Sequence, residues 1–295
     1  MNVTRKTREA LSLLAFAAPA FGFYAVFMLW PSLGGLGFSL TDWNGLAPRF
    51  SFVGADNYLE ALTQDPDFLH AVGFTAVYVV CMVVLQNVLS FGLAVLVESR
   101  RRSRGFFRTV FFLPNMVSMI IAGFMWMFLF TKVLPALGNA TGLTFLDRSW
   151  IGDPASAFVA LLVISLWGGV GYLMVIYIAA LQGVPDTLKE AAAIDGATTG
   201  QVFWNVTFPL TRPALTIGIF LTLNSSFKVF DVVFALTGGG PGRATQVMAL
   251  NIFEEAFRMN NRYGYASAKA MILFAIVAVI TVVQLRFMKR REVEA

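Results

Sequence analysis

The sequence predicts an all-α integral membrane protein with six transmembrane helices, and three observations carry that prediction. Of 295 residues, 57% are hydrophobic and 13% charged, whereas a soluble domain carries about 25% charged residues. The apolar residues gather into six blocks, each long enough to cross about 30 Å of hydrocarbon at about 1.5 Å per helical residue. The basic residues fall mostly in the connectors and termini between blocks, where topology signals sit. The crossings are expected to be helices, because hydrocarbon offers no partner to an unpaired backbone group.

In chain order the spans are expected at 10–40, 70–97, 106–130, 155–181, 213–236 and 266–288, within one transmembrane domain over 1–295. The first follows Arg5, Lys6 and Arg8 and contains Ala18-Pro19-Ala20, which fits a signal-peptide cleavage pattern. Its apolar run continues to about Leu40, however, far beyond a signal h-region, so a retained span is expected. Pro19, Pro31 and Leu33-Gly34-Gly35 suggest that it is kinked. The second span holds Cys81, the single cysteine, which cannot form an internal disulfide. His70, the single histidine, lies at its start as an interfacial residue. In the fourth span Gly168-Gly169-Val170-Gly171 does not continue as G-x-G-x-x-G, and is expected to permit close helix packing or a bend.

Orientation follows from lysines and arginines. Arg5, Lys6, Arg8, Arg100, Arg101, Arg102, Arg104, Arg108, Lys189, Arg212, Arg286, Lys289, Arg290 and Arg291 give fourteen on one side. Arg49, Lys132, Arg148, Arg243, Arg258 and Arg262 give six on the other. The positive-inside rule then puts both termini and the segment 185–209 in the cytoplasm, and the acid-rich loop 42–69 outside. The net charge of +5 reflects this topology rather than nucleic-acid binding.

Chemistry of the chain's own is not expected. No lysine follows a glycine, so there is no Walker A phosphate loop. One histidine and one cysteine exclude the usual zinc clusters, and no G-x-S-x-G elbow occurs. The longest polar segments, about thirty residues, are too short for a nucleotide-binding or catalytic domain. No catalytic residue, metal site or cofactor is expected, and any ATPase must be another chain.

The polar segment 185–209 is the most informative part of the chain. Pro185 favours a helix start, and Thr187 with Glu190 fits a capping box. Gly196 supplies a turn. Thr198 with Gln201 fits a second capping box, opening a helix that Pro209 is expected to end. The result is a helix-turn-helix elbow between two spans.

This segment resembles the EAA loop of binding-protein-dependent ABC importer permeases, carried here by Glu190, Ala191, Ala192, Gly196, Val206, Phe208 and Pro209. Val206 and Phe208 stand where Ile and Leu are usual. Phe227-Lys228-Val229-Phe230-Asp231, Leu236-Thr237-Gly238-Gly239-Gly240-Pro241 and Tyr263-Gly264-Tyr265-Ala266-Ser267-Ala268 resemble the carbohydrate-uptake branch. That branch includes the larger maltose permease and the glycerol-phosphate permease. The resemblance implies a type I ABC importer architecture in a bacterial cytoplasmic (inner) membrane. It implies a second homologous permease, two copies of an ATPase that bind ATP and Mg, and an extracytoplasmic substrate-binding protein. Glu190, Ala191, Ala192, Asp195 and Gly196 would contact the ATPase, and the cargo would be a sugar or related polyol. The competing expectation is an ion-coupled secondary transporter, for which Asp231 is the one acid placed inside a span.

The substrate path is expected along the fifth span. Lys228 and Asp231 are spaced to pair on one helix face, and ionisable residues at that depth face the protein interior or a cavity. They are either a packing pair or contacts to substrate. Asn224, Ser225 and Ser226 offer hydrogen bonds one turn earlier, Phe230 an aromatic face, and Tyr172 and Tyr177 polar aromatics from the fourth span.

The orientation is testable by labelling. Cysteines introduced at Ser103 and Thr199, in a variant lacking Cys81, should react with an impermeant maleimide only from the cytoplasmic side, and one at Ala55 only from outside. Labelling of position 199 in intact cells would invert the arrangement.

Overall fold

A computed structural model describes residues 2–100, 102–259 and 261–289. Among these the chain is almost wholly helical, with one isolated bridge between Thr41 and Phe52. The helices are α1 (2–38), α2 (Asp56–Thr63), α3 (Pro66–Ser99), α4 (Arg104–Phe112), α5 (Met119–Thr141), α6 (Pro154–Gln182), α7 (Asp186–Ile194), α8 (Thr199–Phe227), α9 (Asp231–Leu236), α10 (248–259) and α11 (Tyr263–Lys289). Six of them are long and apolar enough to cross a membrane: α1 from Ser12, α3, α5, α6, α8 and α11.

Three segments differ in detail from the sequence reading. The irregularity expected from Pro19 and Pro31 takes the form of a π-helical turn, Ala25–Leu29, with Pro31 in the first turn beyond it. The predicted third span, 106–130, divides: α4 is a separate helix, and Pro114 lies in a 3₁₀ turn after which Val117 and Ser118 are extended. The apolar crossing helix therefore begins at Met119. The predicted fifth span, 213–236, is displaced towards the N-terminus. Its helix starts at Thr199 and stops at Phe227, and α9 follows as a separate short helix.

The described chain forms two compact units. The larger comprises Pro66–Asn251 with the chain from Leu273. Its core joins α3, α6 and α8 through Ala94, Val97, Leu173, Met174, Tyr177, Ile178, Leu181 and Ala214. A second cluster sets Val79, Leu223 and Phe227 against Val277 of α11. The glycines of α6 permit close packing along an unbroken helix. A Cβ on Gly171 would meet the Phe111 backbone, and one on Gly168 the Met119 side chain. Several polar groups inside the unit pair across helices: Tyr177 donates to Asn87, whose amide reaches Thr222 at 3.2 Å, and Ser90 donates to the Val170 carbonyl at 3.0 Å.

The other unit comprises the chain up to Asp65 with Ile252–Ile272. It is organised around a charge that the sequence reading passed over. Lys269 lies within the predicted sixth span and is fully buried. Its Nζ meets Asp65 at 2.7 Å and Glu255 at 3.0 Å, and lies 4.4 Å from the Tyr265 ring centre. The Tyr265 hydroxyl donates to Asp65 at 2.8 Å. Beside this group Arg262 grips Glu60 with two hydrogen bonds, at 2.7 and 2.6 Å, and stacks over Tyr265. Those bonds hold the Glu60 carboxyl below its ordinary value and raise the Arg262 guanidinium.

Replacing Lys269 alone should be severe, because two mostly buried carboxylates would lose their counter-charge. Lys269→Met is expected to cost about 3–5 kcal/mol, read as a drop in thermal midpoint of the purified protein. Adding Asp65→Asn and Glu255→Gln should recover part of that loss. Unchanged stability of the single variant would show that the cluster does not hold this unit together.

Candidate functional site

Two places in the larger unit bring the predicted functional residues together: an exposed elbow at α7–α8 and a cleft at the far end of α8. The elbow begins at Pro185, whose extended backbone (φ −58°, ψ 129°) leads directly into α7. Proline so placed starts the helix two residues earlier than a cap at Thr187 would. The expected Thr187–Glu190 capping box is therefore absent, and Thr187 lies inside the first turn. Asp186 in that turn suits the positive end of the helix dipole and pairs with Lys189 at 3.0 Å. This exposed pair contributes little to stability.

α7 ends as the sequence reading expected. Gly196 adopts φ +85°, and its N–H donates to the Ala193 carbonyl at 3.1 Å while that of Ala197 reaches Ala192 at 3.0 Å. These two bonds satisfy the last carbonyls of the helix in a Schellman arrangement that a residue with a Cβ adopts only under strain. The second capping box is present: Thr198 N–H donates to Gln201 Oε1 at 2.7 Å, and Gln201 N–H returns to Thr198 Oγ1 at 3.4 Å. Pro209 does not end the helix that follows. A π-helical turn, Phe203–Thr207, precedes it, and the widened turn absorbs both the missing donor and the ring. The second arm of the elbow and the fifth crossing helix are thus one helix.

At the elbow surface Glu190, Ala191, Asp195 and Gly196 are exposed and Ala192 is half-buried. Ile194 is 86% exposed, so the elbow presents an apolar tip between two acids. Its base is fixed by aromatic contacts. Phe203 and Phe208 lie 6.3 and 5.8 Å from Phe91 of α3, ring centre to ring centre, and Phe91 stacks edge-on against Tyr177.

The cleft has a volume of about 400 Å³ and collects Tyr172, Ser225, Ser226, Lys228, Phe230 and Asp231. Asn224 is not among its residues; its amide reaches back to the Phe220 carbonyl at 3.5 Å. Tyr177 lies elsewhere, in the helix core. Lys228 and Asp231 do not pair. α8 ends at Phe227 with Lys228 as its C-cap, Phe230 is non-helical (φ −139°, ψ −57°), and Asp231 opens α9. The i,i+3 geometry needs a continuous helix, and the break removes it. Both side chains are exposed. Backbone freed from a helix needs other partners for its polar groups, and this break lines a cavity where they are accessible.

The cleft also holds Tyr78, Gln86, Asn115 and Ser165, which the sequence reading did not single out. Tyr78 donates to Ser165 at 2.8 Å, and the Asn115 amide reaches the Gly168 carbonyl at 3.3 Å. Their sequence signal was that of polar residues within or beside otherwise apolar runs. The assembled lining offers hydroxyls, amides, two free charges of opposite sign and aromatic faces, a set suited to binding a polar solute. No His/Cys/Asp/Glu group able to hold a metal ion occurs among the described residues.

Six helices long and apolar enough to cross a membrane, a polar cleft in the larger unit and an exposed elbow define a helical membrane permease. Residues 86–293 match the family described as binding-protein-dependent transport system inner membrane component; the chain belongs to this family and is a multi-pass permease component of such a system. It is 40% identical over 279 residues to the probable starch degradation products transport system permease protein of Thermoanaerobacterium thermosulfurigenes, covering 95% of this chain and 94% of that one. It is 37% identical to the multiple sugar-binding transport system permease protein of Streptococcus mutans, covering 91% and 92%. Against the sn-glycerol-3-phosphate transport system permease protein of Brucella abortus the identity is 32%, covering 93% of each. The fold is similar to a chain of a bacterial ABC transporter that imports alginate, with a TM-score of 0.82 at 20% identity, covering 98% of this chain and 99% of that one.

Because Lys228 and Asp231 are separate, Lys228→Met and Asp231→Leu should each leave the amount of assembled protein unchanged and each lower solute uptake. The double variant should not regain uptake. Poor assembly of both single variants with recovery in the double would restore the pairing that the break in α8 removes.

Proposed function

We propose that this chain is one of two homologous permease subunits of an ATP-driven importer for a carbohydrate or related polyol. The observation that carries the reading is the continuity of α8. Its 29 residues form a rod of about 43 Å at about 1.5 Å per residue, with the exposed elbow at one end and the cleft at the other. A partner that shifts the elbow therefore shifts the wall of the cleft. Of two copies of a separate ATPase, which bind ATP and Mg, one docks on Glu190, Ala191, Ala192, Asp195 and Gly196 of this chain. The small alanines allow close approach, and Gly196 sets the angle of the elbow. ATP binding draws the elbows together and opens the spans outward; hydrolysis restores the inward-facing state.

The cargo class is supported by the cleft and by the relatives. Hydroxyl and amide groups match a polyol, and Phe230 and Tyr172 can lie against C–H surfaces of a sugar ring. The relatives' names specify starch degradation products, multiple sugars, sn-glycerol-3-phosphate and trehalose/maltose. A soluble or anchored binding protein delivers the solute from outside. A second related alginate transporter structure was determined with a pentasaccharide-bound periplasmic protein. The chain sits in a bacterial inner membrane with both termini and the elbow in the cytoplasm, does no covalent chemistry and binds no nucleic acid.

Reconstitution with the ATPase, the second permease and the binding protein should give ATP-dependent uptake of a labelled oligosaccharide from a panel. Gly196→Val forces a branched residue into a left-handed conformation that costs about 1–3 kcal/mol. That variant, and Glu190→Ala, should insert normally yet lose uptake by about tenfold or more. Normal uptake in both would remove the elbow from coupling.

A further inference from the structure

The segment joining α3 to α5 carries charges and an apolar groove whose lining is separate from the elbow and the cleft. α4 is amphipathic: Phe106, Phe107 and Val110 are exposed, as is Leu113 just beyond, while Arg104 and Arg108 lie one turn apart. Such a face belongs at the boundary between headgroups and acyl chains. Beside it, a groove of about 480 Å³ is walled by Leu93, Leu96, Val97, Phe107 and Phe111, with Arg100 and Ser103 at its polar end. Arg104 is engaged by Glu98 at 2.7 Å. Arg100, Arg102 and Arg108 make no ion pair among the described residues. No acidic residue occurs from Ser99 to Leu146 that could neutralise them locally.

We propose that this groove holds an acyl chain of an anionic phospholipid, with the lipid phosphate against the arginines of the 100–108 segment. The two halves of the site demand one occupant. A free phosphate would neutralise the arginines and leave the groove empty. An uncharged lipid would fill the groove and leave three guanidinium groups without a counter-charge. Each arginine near an anionic headgroup favours it by about fivefold over a neutral one. The lipid would brace the junction at which α3 gives way to α4 and the 3₁₀ turn at Pro114. Because the groove lies on one chain and the test uses symmetric bilayers, the inference stands apart from the orientation and from the cargo.

The assembled complex, with Phe107 replaced by p-benzoylphenylalanine, is placed in nanodiscs of equal phosphatidylglycerol and phosphatidylcholine and irradiated. Mass spectrometry of the chain should show phosphatidylglycerol adducts in excess by about fivefold or more. Arg100→Gln with Arg108→Gln should bring the two adducts towards parity, and Arg100→Lys with Arg108→Lys should retain most of the excess. Adducts at parity with all arginines present would overturn the proposal, whether or not the glutamine variant assembles. So would loss of the excess on adding inorganic phosphate, which would mark a site for the free anion.

Discussion

A hydrocarbon slab supplies no hydrogen-bond donors or acceptors, and this constraint governs the backbone of the six helices suited to crossing it. It makes every crossing a helix and every departure from helix informative. The departures in and beside these helices are few and local. The π-helical turns in α1, α5 and α8 keep the chain coiled while accommodating proline or a change of phase. The break at 228–230 is different in kind, because there the backbone leaves the helix altogether. It lies on the wall of a polar cleft, where water or a polar solute can satisfy the freed groups.

The same constraint explains how a force can travel. A helix whose hydrogen bonds have no competitor in lipid behaves as a stiff rod, and α8 is such a rod from Thr199 to Phe227. Its elbow end is pinned by Phe203 and Phe208 against Phe91, and its other end carries Ser225 and Ser226 into the cleft. A flexible loop at Pro209 would absorb a push from below. The π turn at 203–207 preserves the rod through a residue that ordinarily interrupts one.

Charges buried in this setting must be compensated. Lys269 meets two carboxylates and an aromatic face, whereas Lys228 and Asp231 remain exposed in the cleft and apart. Read along the chain, the two situations look reversed. Lys228 and Asp231 have helical spacing inside an apolar run, while the partners of Lys269 lie fourteen and about two hundred residues away. Spacing reveals a local partner and is silent about a distant one.

The sequence by itself determined the fold class, because the hydrophobic blocks need only composition and length to be recognised. It also determined the elbow's turn, since Gly196, Thr198 and Gln201 act through hydrogen bonds within a few residues. It did not determine where helices stop. Whether Pro209 or Pro114 interrupts a helix depends on how the neighbouring turn and packing accommodate the ring, and only Pro114 lies at a break. Tertiary structure alone gathered Tyr78, Gln86, Asn115 and Ser165 around the cleft and set Asp65 and Glu255 on Lys269. Those contacts arise from packing between segments remote in sequence, and no local pattern encodes which polar residue in one helix will face which in another.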